Sequence, residues 1–272
     1  MQYIENNGVG YYYSTLLKSK NACSSRIGGV STLPETAALN LAFGRGDDDA
    51  VVLQNLRLFA DAVGVEAACV ISLPQVHGTD VLRVTEADAG RGYAKPADGV
   101  GDGYMTTEIG LPLGVKSADC VPILLEARDA SDCVQAISAV HAGWRGTAGG
   151  IVLHAVKALR DACPNAEIYA AIGPCIGACC FEVELDCVEV FVRNLGSNLV
   201  QKCFKRGENG KHYGDLTLVN RLLLQKAGVP DAHIDSAEVC TCCHPERFFS
   251  HRYATKYQNG KRGTMLSVIC KS

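Results

Sequence analysis

Short apolar segments of strand length alternate along the chain with longer segments whose apolar residues recur at helical spacing. The predicted strands are residues 70–73, 114–117, 121–125, 136–140 and 167–172. The predicted helices are residues 48–63, 147–162, 185–195 and 216–227. Because a sheet and a helix each bury one face against another element, this alternation predicts packed layers of helices and sheets.

The length of the chain favours one large domain. Its 272 residues, of which 47% are apolar, lie within the range of about 250 to 300 residues where a single core stops growing. We therefore predict one domain over residues 1–272 with an α+β fold, a layered α/β/β/α-type sandwich with mixed sheets. The sequence leaves the oligomeric state open between a monomer and a homodimer.

Charge and hydropathy limit the partners. The 26 basic and 29 acidic side chains give a net charge of -3, and no basic stripe points to nucleic acid. No segment approaches the roughly 20 apolar residues that span a membrane, and the first residues do not resemble a secretory signal. We expect a cytoplasmic protein that binds a small molecule, with no nucleic acid and no membrane as partner.

Fourteen cysteines are present, but a cytosolic setting keeps thiols reduced and argues against a disulfide framework. Most of these thiols are expected to be small buried hydrophobes. Residues 175–180 and 240–244 are rich in cysteine, and the Cys-x-Cys-Cys-His run of the second can chelate a soft ion. Because no distant second pair of ligands is evident from the sequence, core thiols are the favoured interpretation of both stretches.

Three short segments each bring a metal-ligating residue to a predicted strand end, and these residues are His77, Cys120 and His141. Two imidazoles and one thiolate suit zinc, and copper is the less favoured alternative. A fourth position without a protein ligand would hold water or substrate, as catalytic zinc sites require. Because the three residues are far apart in sequence, two core histidines and a buried thiol are an equally good interpretation of spacing alone.

The sequence around these residues resembles a known family. Residues 75–80, 117–125 and 139–150 are similar, nearly word for word, to motifs of the bacterial polyphenol oxidase or laccase-domain family. Shorter similarities follow in family order at residues 26–31, 40–41, 46–48, 173–177, 180–183, 215–216, 220–221 and 248–252. The resemblance covers nearly the whole chain and implies that His77, Cys120 and His141 are the metal ligands.

Members of that family are regarded as zinc-dependent purine nucleoside phosphorylases with adenosine deaminase activity. The resemblance implies phosphorolysis of adenosine, inosine, guanosine and methylthioadenosine, and hydrolytic deamination of adenosine, with purine nucleosides and phosphate as partners. Two departures affect the C-terminal edge of the substrate site. His251-Arg252-Tyr253 stands where the family commonly has two arginines and an aspartate, and Gly263-Thr-Met265 stands where relatives have Gly-Arg-Met.

Two arginines are candidates for substrate binding. Arg145 precedes the predicted helix 147–162, where a guanidinium and free helix amides together favour a phosphate. A surface arginine packed on Trp144 is the alternative interpretation. Arg26 is the second candidate, for an anion or a ribose contact, and a turn arginine is equally compatible with its position.

Three carboxylates are candidates for roles beside the ligands. Asp80 and Asp119 are close to ligands in sequence and can orient them or transfer protons, or else cap local turns. Glu182 is favoured as an acid at a helix start. The predicted catalytic residues are Cys120, His141, Asp119 and Arg145.

Other functions compete with a nucleoside enzyme. Copper-dependent oxidation of phenols needs many histidines, whereas this chain has seven and no His-x-His pair. A metal-free cysteine hydrolase or amidase would use Cys120 as nucleophile and His141 as base. A non-catalytic protein would require a closed site with four ligands, for which no fourth ligand is evident.

Overall fold

The computed structural model describes residues 1–208 and 210–272. The strands are β1 Gln2–Asn6, β2 Val9–Tyr13, β3 Lys20–Ser24, β4 Val81–Arg83, β5 Gly103–Thr106, β6 Leu113–Ser117, β7 Val121–Arg128, β8 Val134–Ala142, β9 Glu167–Ile172, β10 Glu182–Val183, β11 Phe204–Arg206, β12 His212–Gly214, β13 Ile234–Ser236 and β14 Met265–Cys270. The helices are α1 Asp49–Val63, α2 Trp144–Ala148, α3 Ile151–Ala162, α4 Leu185–Leu195, α5 Ser197–Cys203, α6 Leu216–Lys226 and α7 His251–Tyr257.

Within the described residues the strands form three sheets. A five-stranded sheet has the order β1-β2-β3-β14-β6 and is antiparallel throughout. A six-stranded sheet has the order β13-β9-β7-β8-β5-β4. It is mixed, because β13 runs parallel to β9 and β4 runs parallel to β5 while the other pairs are antiparallel. A small third sheet has the order β10-β12-β11.

The two large sheets pack face to face, with helices on the outer face of each. Strand β7 is buried along its whole length: Ile123 points to the helices α3 to α6, and Leu124 points to the five-stranded sheet. On the far side, Leu56 and Phe59 of α1 pack against Tyr11 and the rest of the outer face of the five-stranded sheet. The order of layers is therefore helix, sheet, sheet, helix, which confirms the predicted layered fold with a mixed sheet.

Most predicted elements are present, with two differences. Residues 70–73 make only a single bridge, between Ile71 and Leu113, since the N–H of Leu73 donates to the Tyr104 hydroxyl at 2.9 Å instead of to a strand. The predicted helix 147–162 starts earlier, at Trp144, and is divided into α2 and α3. The division falls at two glycines, of which Gly150 has a φ of 79° that favours glycine.

No helix among residues 1–208 and 210–272 is both long and apolar enough to cross a membrane.

All fourteen cysteines are free thiols. Five of them are buried, as small core hydrophobes should be: Cys23, Cys175, Cys187, Cys203 and Cys270. Five of fourteen is a minority, so the expectation that most of the thiols are buried is wrong. In the two cysteine-rich stretches only Cys175 is a core thiol, and Cys179 and Cys243 are exposed.

Candidate metal centre

The three predicted ligands meet where the two central strands of the six-stranded sheet come together. Cys120 directly precedes β7, and His141 is the next-to-last residue of β8, where it pairs with Pro122. Because β7 and β8 are antiparallel, the start of one strand lies beside the end of the other. His77 reaches the same point from the loop before β4.

The loop that carries His77 is shaped by one carboxylate. Asp102 accepts hydrogen bonds from the backbone N–H groups of Val76 at 3.0 Å, His77 at 2.9 Å and Gly78 at 2.8 Å. His77 itself has a φ of 61°, in the left-handed region. The three amide bonds hold the loop in this conformation, and the imidazole of His77 is thereby directed at Cys120.

The distances fit a tetrahedral metal ion. Cys120 Sγ lies 3.7 Å from His77 Nε2, and the three ligand atoms, including that of His141, are within 4.8 Å of one another. Zinc bonds of about 2.3 Å to sulfur and 2.0–2.1 Å to nitrogen in tetrahedral geometry place sulfur and nitrogen about 3.6 Å apart. Among residues 1–208 and 210–272, no fourth His, Cys, Asp or Glu joins this group.

Gly143 keeps the space beside the ligands free. A Cβ atom at this position would lie 2.5 Å from His77 Cδ2 and 3.4 Å from Cys120 Sγ. Its φ of -62° is accessible to any residue, so glycine is needed here for space and not for backbone conformation. The lack of a side chain allows His77 and Cys120 to approach each other.

Asp102 also orients the second imidazole. Its Oδ1 lies 2.8 Å from His141 Nδ1, which leaves His141 Nε2 to face Cys120. Histidine ligands of metals commonly have such a carboxylate partner, which sets the tautomer and the ring orientation. Burial raises the pKa of Asp102, but hydrogen bonds from His141 and from the amides of Gly78 and Val76 outweigh it and lower the pKa below its usual value.

Sequence reasoning missed Asp102 and considered Asp80 and Asp119 for this role. Asp80 is exposed, and its backbone carbonyl accepts from the N–H of Gly103 at 3.1 Å. The available signal for Asp102 was its place between two glycines directly before β5. That signal is weak, because it does not indicate that β5 lies beside β8 in the sheet.

The electrostatics of the ligands favour a thiolate. Burial raises the pKa of the Cys120 thiol, but hydrogen bonds from His141 and His77 and their positive charge lower it to about 6. Burial lowers the pKa of His141, whereas hydrogen bonds with Asp102 and Cys120 raise it to about 9. A thiolate is the form of cysteine that binds metals and acts as a nucleophile.

Asp119 and Arg145 both line the cavity beside the centre. The Asp119 carboxylate is occupied, since it accepts from the Thr241 hydroxyl at 2.6 Å and from the N–H of Arg252 at 2.7 Å. Arg145 is exposed and lies within α2, with its guanidinium carbon 4.2 Å from the centroid of the Trp144 ring. Arg145 therefore both stacks on Trp144 and faces the cavity.

Arg26 and Glu182 lie elsewhere. The Arg26 guanidinium donates to the carbonyls of Ala37 and Pro245, the latter at 2.8 Å, and Arg26 is absent from the residues that line the two cavities at the centre. These contacts of Arg26 with backbone carbonyls fit the alternative interpretation, an arginine that supports a turn. Glu182 lies in strand β10 and not at a helix start, and accepts a hydrogen bond from Tyr213 at 2.7 Å.

Two cavities flank the centre and share His77 and Cys120 in their walls. The first has a volume of about 630 Å³ and the second of about 480 Å³, which is the size range of small-molecule sites. The first has a largely apolar wall that includes Trp144 and Phe181. Aromatic and apolar groups in the wall of a cavity favour a flat, apolar ring as ligand.

The second cavity is cationic. Its wall includes Arg45, Lys116 and Arg262, and Arg262 also lines the first cavity. Burial and the charge of Arg45 lower the pKa of the Arg262 guanidinium, and its Nε is buried without a hydrogen-bond partner among residues 1–208 and 210–272. Three basic groups around one space favour an anion. Sequence reasoning missed them, because they come from three distant segments.

The fold and the site together define a layered mixed α/β protein in which two histidines and one cysteine, a set that could hold a metal ion, lie between two cavities. A sequence model described as multi-copper polyphenol oxidoreductase laccase matches residues 20–272, and the chain belongs to that family. The membership agrees with the resemblance drawn from the sequence motifs.

Several proteins are similar to this chain over most of its length. It is 38% identical over 254 residues to "Purine nucleoside phosphorylase YlmD" of Geobacillus stearothermophilus, which covers 90% of this chain and 88% of that protein. The crystal structure of YlmD from that organism has a TM-score of 0.85 and 34% identity, covering 98% of this chain and 97% of the other. "Adenosine deaminase RL5" from an unknown prokaryotic organism is 33% identical over 244 residues, 88% of this chain and 91% of that protein.

Proposed function

We propose that this protein is a zinc-dependent enzyme of purine nucleosides, which carries out phosphorolysis of adenosine, inosine, guanosine and methylthioadenosine and hydrolytic deamination of adenosine. The carrying observation is the three-ligand centre, whose ligands His77 and Cys120 face a cavity of about 630 Å³. The names of the relatives, a purine nucleoside phosphorylase and an adenosine deaminase, support the substrate class.

The donor set suits zinc, with His77, Cys120 and His141 as the ligands. Bound zinc supplies a Lewis acid and lowers the pKa of water to about 7. The protein's own contribution is positional: Asp102 holds His141 by Nδ1, and the amide bonds to Asp102 hold the His77 loop. Both imidazoles are therefore oriented before substrate arrives, which removes a reorganisation cost from the reaction.

Substrate recognition is divided between the two cavities in this proposal. The purine lies in the first cavity, where Trp144 and Phe181 are part of the wall and provide aromatic contacts. Phosphate lies in the second, where Arg45, Lys116 and Arg262 provide charge-assisted donors. Since the ligand Cys120 lines both cavities, the sugar between base and phosphate is held next to the centre.

Of the predicted catalytic residues, Arg145 and Asp119 have supporting roles in this proposal. Arg145 is exposed at the rim of the first cavity, which suits a contact to the ribose or to an entering anion. The Asp119 carboxylate is already hydrogen-bonded to Thr241 and to the N–H of Arg252, so we assign it the positioning of Arg252 in the cavity wall.

The metal-free alternative uses the same residues differently. Cys120, His141 and Asp102 also form a nucleophile, base and orienting carboxylate, and the pKa of Cys120 near 6 suits a nucleophile. A thiolate bound to a metal is not a free nucleophile, so metal content separates the two functions. The relatives' names favour neither this alternative nor copper-dependent phenol oxidation.

The test compares the wild-type protein with Cys120→Ala. We expect the variant to hold about one zinc ion less per chain, and to lose the phosphate-dependent release of hypoxanthine from inosine. Cys133→Ser is the matched control, because Cys133 is an exposed thiol outside the centre. It should keep both the zinc and the activity. Full activity in metal-free wild-type protein, or in Cys120→Ala, would overturn the proposal.

A further inference from the structure

Four thiols from two distant segments meet at one place on the surface, in what we call the four-cysteine cluster. Its members are Cys179, Cys180, Cys240 and Cys243. Their sulfur atoms all lie within 4.8 Å of one another. Cys240 and Cys243 have the Cys-x2-Cys spacing that is common in structural zinc sites. The other two come from the stretch 175–180, so the distant second pair of ligands that the sequence did not reveal is present after all.

The topology of the six-stranded sheet brings the two pairs together. Strand β9 ends at Ile172 and β13 at Ser236, and these residues pair in parallel. The two segments that follow these strands therefore leave the sheet at the same end and continue side by side. They stay in contact, because the N–H of Thr241 donates to the carbonyl of Cys175 at 2.9 Å. The fold thus places the cysteines that follow each strand next to each other.

The local geometry fits a tetrahedral site of four thiolates. Cys243 Sγ lies 3.4 Å from the sulfur of Cys179 and 3.4 Å from that of Cys180. Zinc–sulfur bonds of about 2.3 Å in a tetrahedron separate the sulfurs by about 3.8 Å, whereas a disulfide requires about 2.05 Å. The N–H of Gly177 donates to Cys240 Sγ at 3.2 Å, as amides do to thiolates.

Gly177 leaves room for the cluster because it has no side chain. A Cβ there would lie 3.1 Å from Cys240 Cβ and 3.4 Å from Cys179 Sγ, so glycine lets the two segments approach. Two of the four thiols are exposed and the other two partly buried, which leaves the cluster accessible to an ion from solvent. A cluster of core thiols would instead be buried.

We propose that the four-cysteine cluster is a second, structural zinc site that is separate from the three-ligand centre. Its four thiolates complete a tetrahedron and leave no open position, so the site has no catalytic role of its own. It ties together the segment after β9, of which Ile176 and Phe181 line the first cavity, and the segment after β13. The Arg252 guanidinium, which lines that cavity, donates to the carbonyl of Cys180 at 3.0 Å.

The experiment measures zinc per chain in protein purified under reducing conditions, for wild type, Cys120→Ala, Cys243→Ser and the double variant. We expect about two ions in the wild type, about one in each single variant and none in the double variant. Cys133→Ser is the matched control, because Cys133 is an exposed thiol outside both the cluster and the three-ligand centre. It should keep the wild-type content.

Cobalt substitution gives an independent readout. With Co²⁺ in place of zinc, Cys120→Ala should retain the strong thiolate-to-metal charge-transfer absorption of a four-thiolate site. Cys243→Ser should retain only the weaker absorption of the centre with its single thiolate. If Cys243→Ser does not fold, Cys179→Ser replaces it in this comparison, because Cys179 is a cluster member on the other segment. If neither variant folds, the comparison of wild type with Cys120→Ala decides, since most of the absorption should survive the loss of Cys120.

Each contrary result overturns the proposal of a second site that holds zinc. Wild-type zinc content in both Cys243→Ser and Cys179→Ser would do so, as would bound iron in the cluster. A wild type whose cobalt absorption disappears entirely with Cys120→Ala would also exclude it. The function proposed for the three-ligand centre is tested separately, because it depends on the zinc and activity lost with Cys120 and not on the ion lost with Cys243.

Discussion

At the scale of single residues, Asp102 supports two of the candidate ligands without being a ligand itself. One of its oxygens contacts His141 Nδ1, and the two oxygens together accept three amides of the His77 loop. The orientation of one histidine ligand and the loop of the other therefore depend on the same carboxylate. Burial of an unpaired carboxylate costs free energy, and the four hydrogen bonds to Asp102 offset this cost.

Asp102→Asn tests this dependence. The amide nitrogen of asparagine cannot accept hydrogen bonds from the loop, so we expect the zinc affinity of the three-ligand centre to fall about 10- to 100-fold. The measurement is a competition titration with a chromophoric chelator in a Cys243→Ser background, in which only this centre should bind. Asp80→Asn is the control and should bind as the parent does. Equal affinities for the two variants would contradict the role of Asp102.

Arg262 is the residue with which the phosphate site is best tested. Hydrogen bonds to charged groups contribute about 1.5–3 kcal/mol, so Arg262→Ala should raise the KM for phosphate by about 10- to 100-fold. The KM for inosine should change less. Lys261→Ala, an exposed neighbour, is the control. An unchanged KM for phosphate with a raised KM for inosine would instead assign Arg262 to nucleoside binding.

At the scale of elements, the centre is assembled by the ends of strands. The turn of residues 118–120 connects β6 of the five-stranded sheet to β7 of the six-stranded sheet, and Cys120 is its last residue. β8 continues through Gly143 into α2. The chain thus changes layer beside the centre, and side chains from both layers enclose the space between the sheets.

Gly143→Ala tests the packing at the junction of β8 and α2. The added methyl group would meet the His77 ring at 2.5 Å and displace this exposed side chain. We expect zinc affinity to fall more than about tenfold, while the unfolding free energy of the metal-free protein changes by less than about 1 kcal/mol, since the backbone there accepts alanine. Chelator competition and urea unfolding measure the two quantities. A large loss of stability with intact zinc binding would contradict this account.

At the scale of the whole molecule, four layers enclose three apolar cores. The face between the sheets forms one core, and each outer helical layer forms another with its sheet. Between the sheets, Glu126 on β7 forms a buried ion pair with Arg128. The Glu126 carboxylate also accepts hydrogen bonds from the N–H groups of Lys18 and Ser19. The connection before β3 is thereby attached to the central strand of the other sheet.

Phe59→Ala tests the independence of the outer layer. Phe59 is fully buried between α1 and the five-stranded sheet, so its truncation should lower the free energy of unfolding by about 3–5 kcal/mol. The folded protein should keep its zinc, because α1 lies on the far side of that sheet from the centre. Urea unfolding and zinc analysis check both, with Arg57→Ala, exposed on the same helix, as control within about 0.5 kcal/mol. Parallel loss of zinc would show that the layers are coupled.

The sequence by itself determined most of the elements and the candidate ligands. Helix 185–195 is found at its predicted bounds, and the strands at 121–125 and 136–140 lie within β7 and β8, because apolar periodicity is a local property. His77, Cys120 and His141 were named from donor chemistry and family resemblance, and they do meet. Local rules can identify a residue type that suits a metal, whatever its distance along the chain from other ligands.

Only the tertiary structure decided which distant residues became neighbours. Asp102 contacts His141 because β5 pairs with β8, and Cys179 meets Cys243 because β9 and β13 end side by side. Strand order is set by how whole layers bury their apolar faces, and no local pattern encodes it. The fit of glycine at 143 follows from the same packing. Ligands could therefore be named from the sequence, whereas their partners had to be found in the fold.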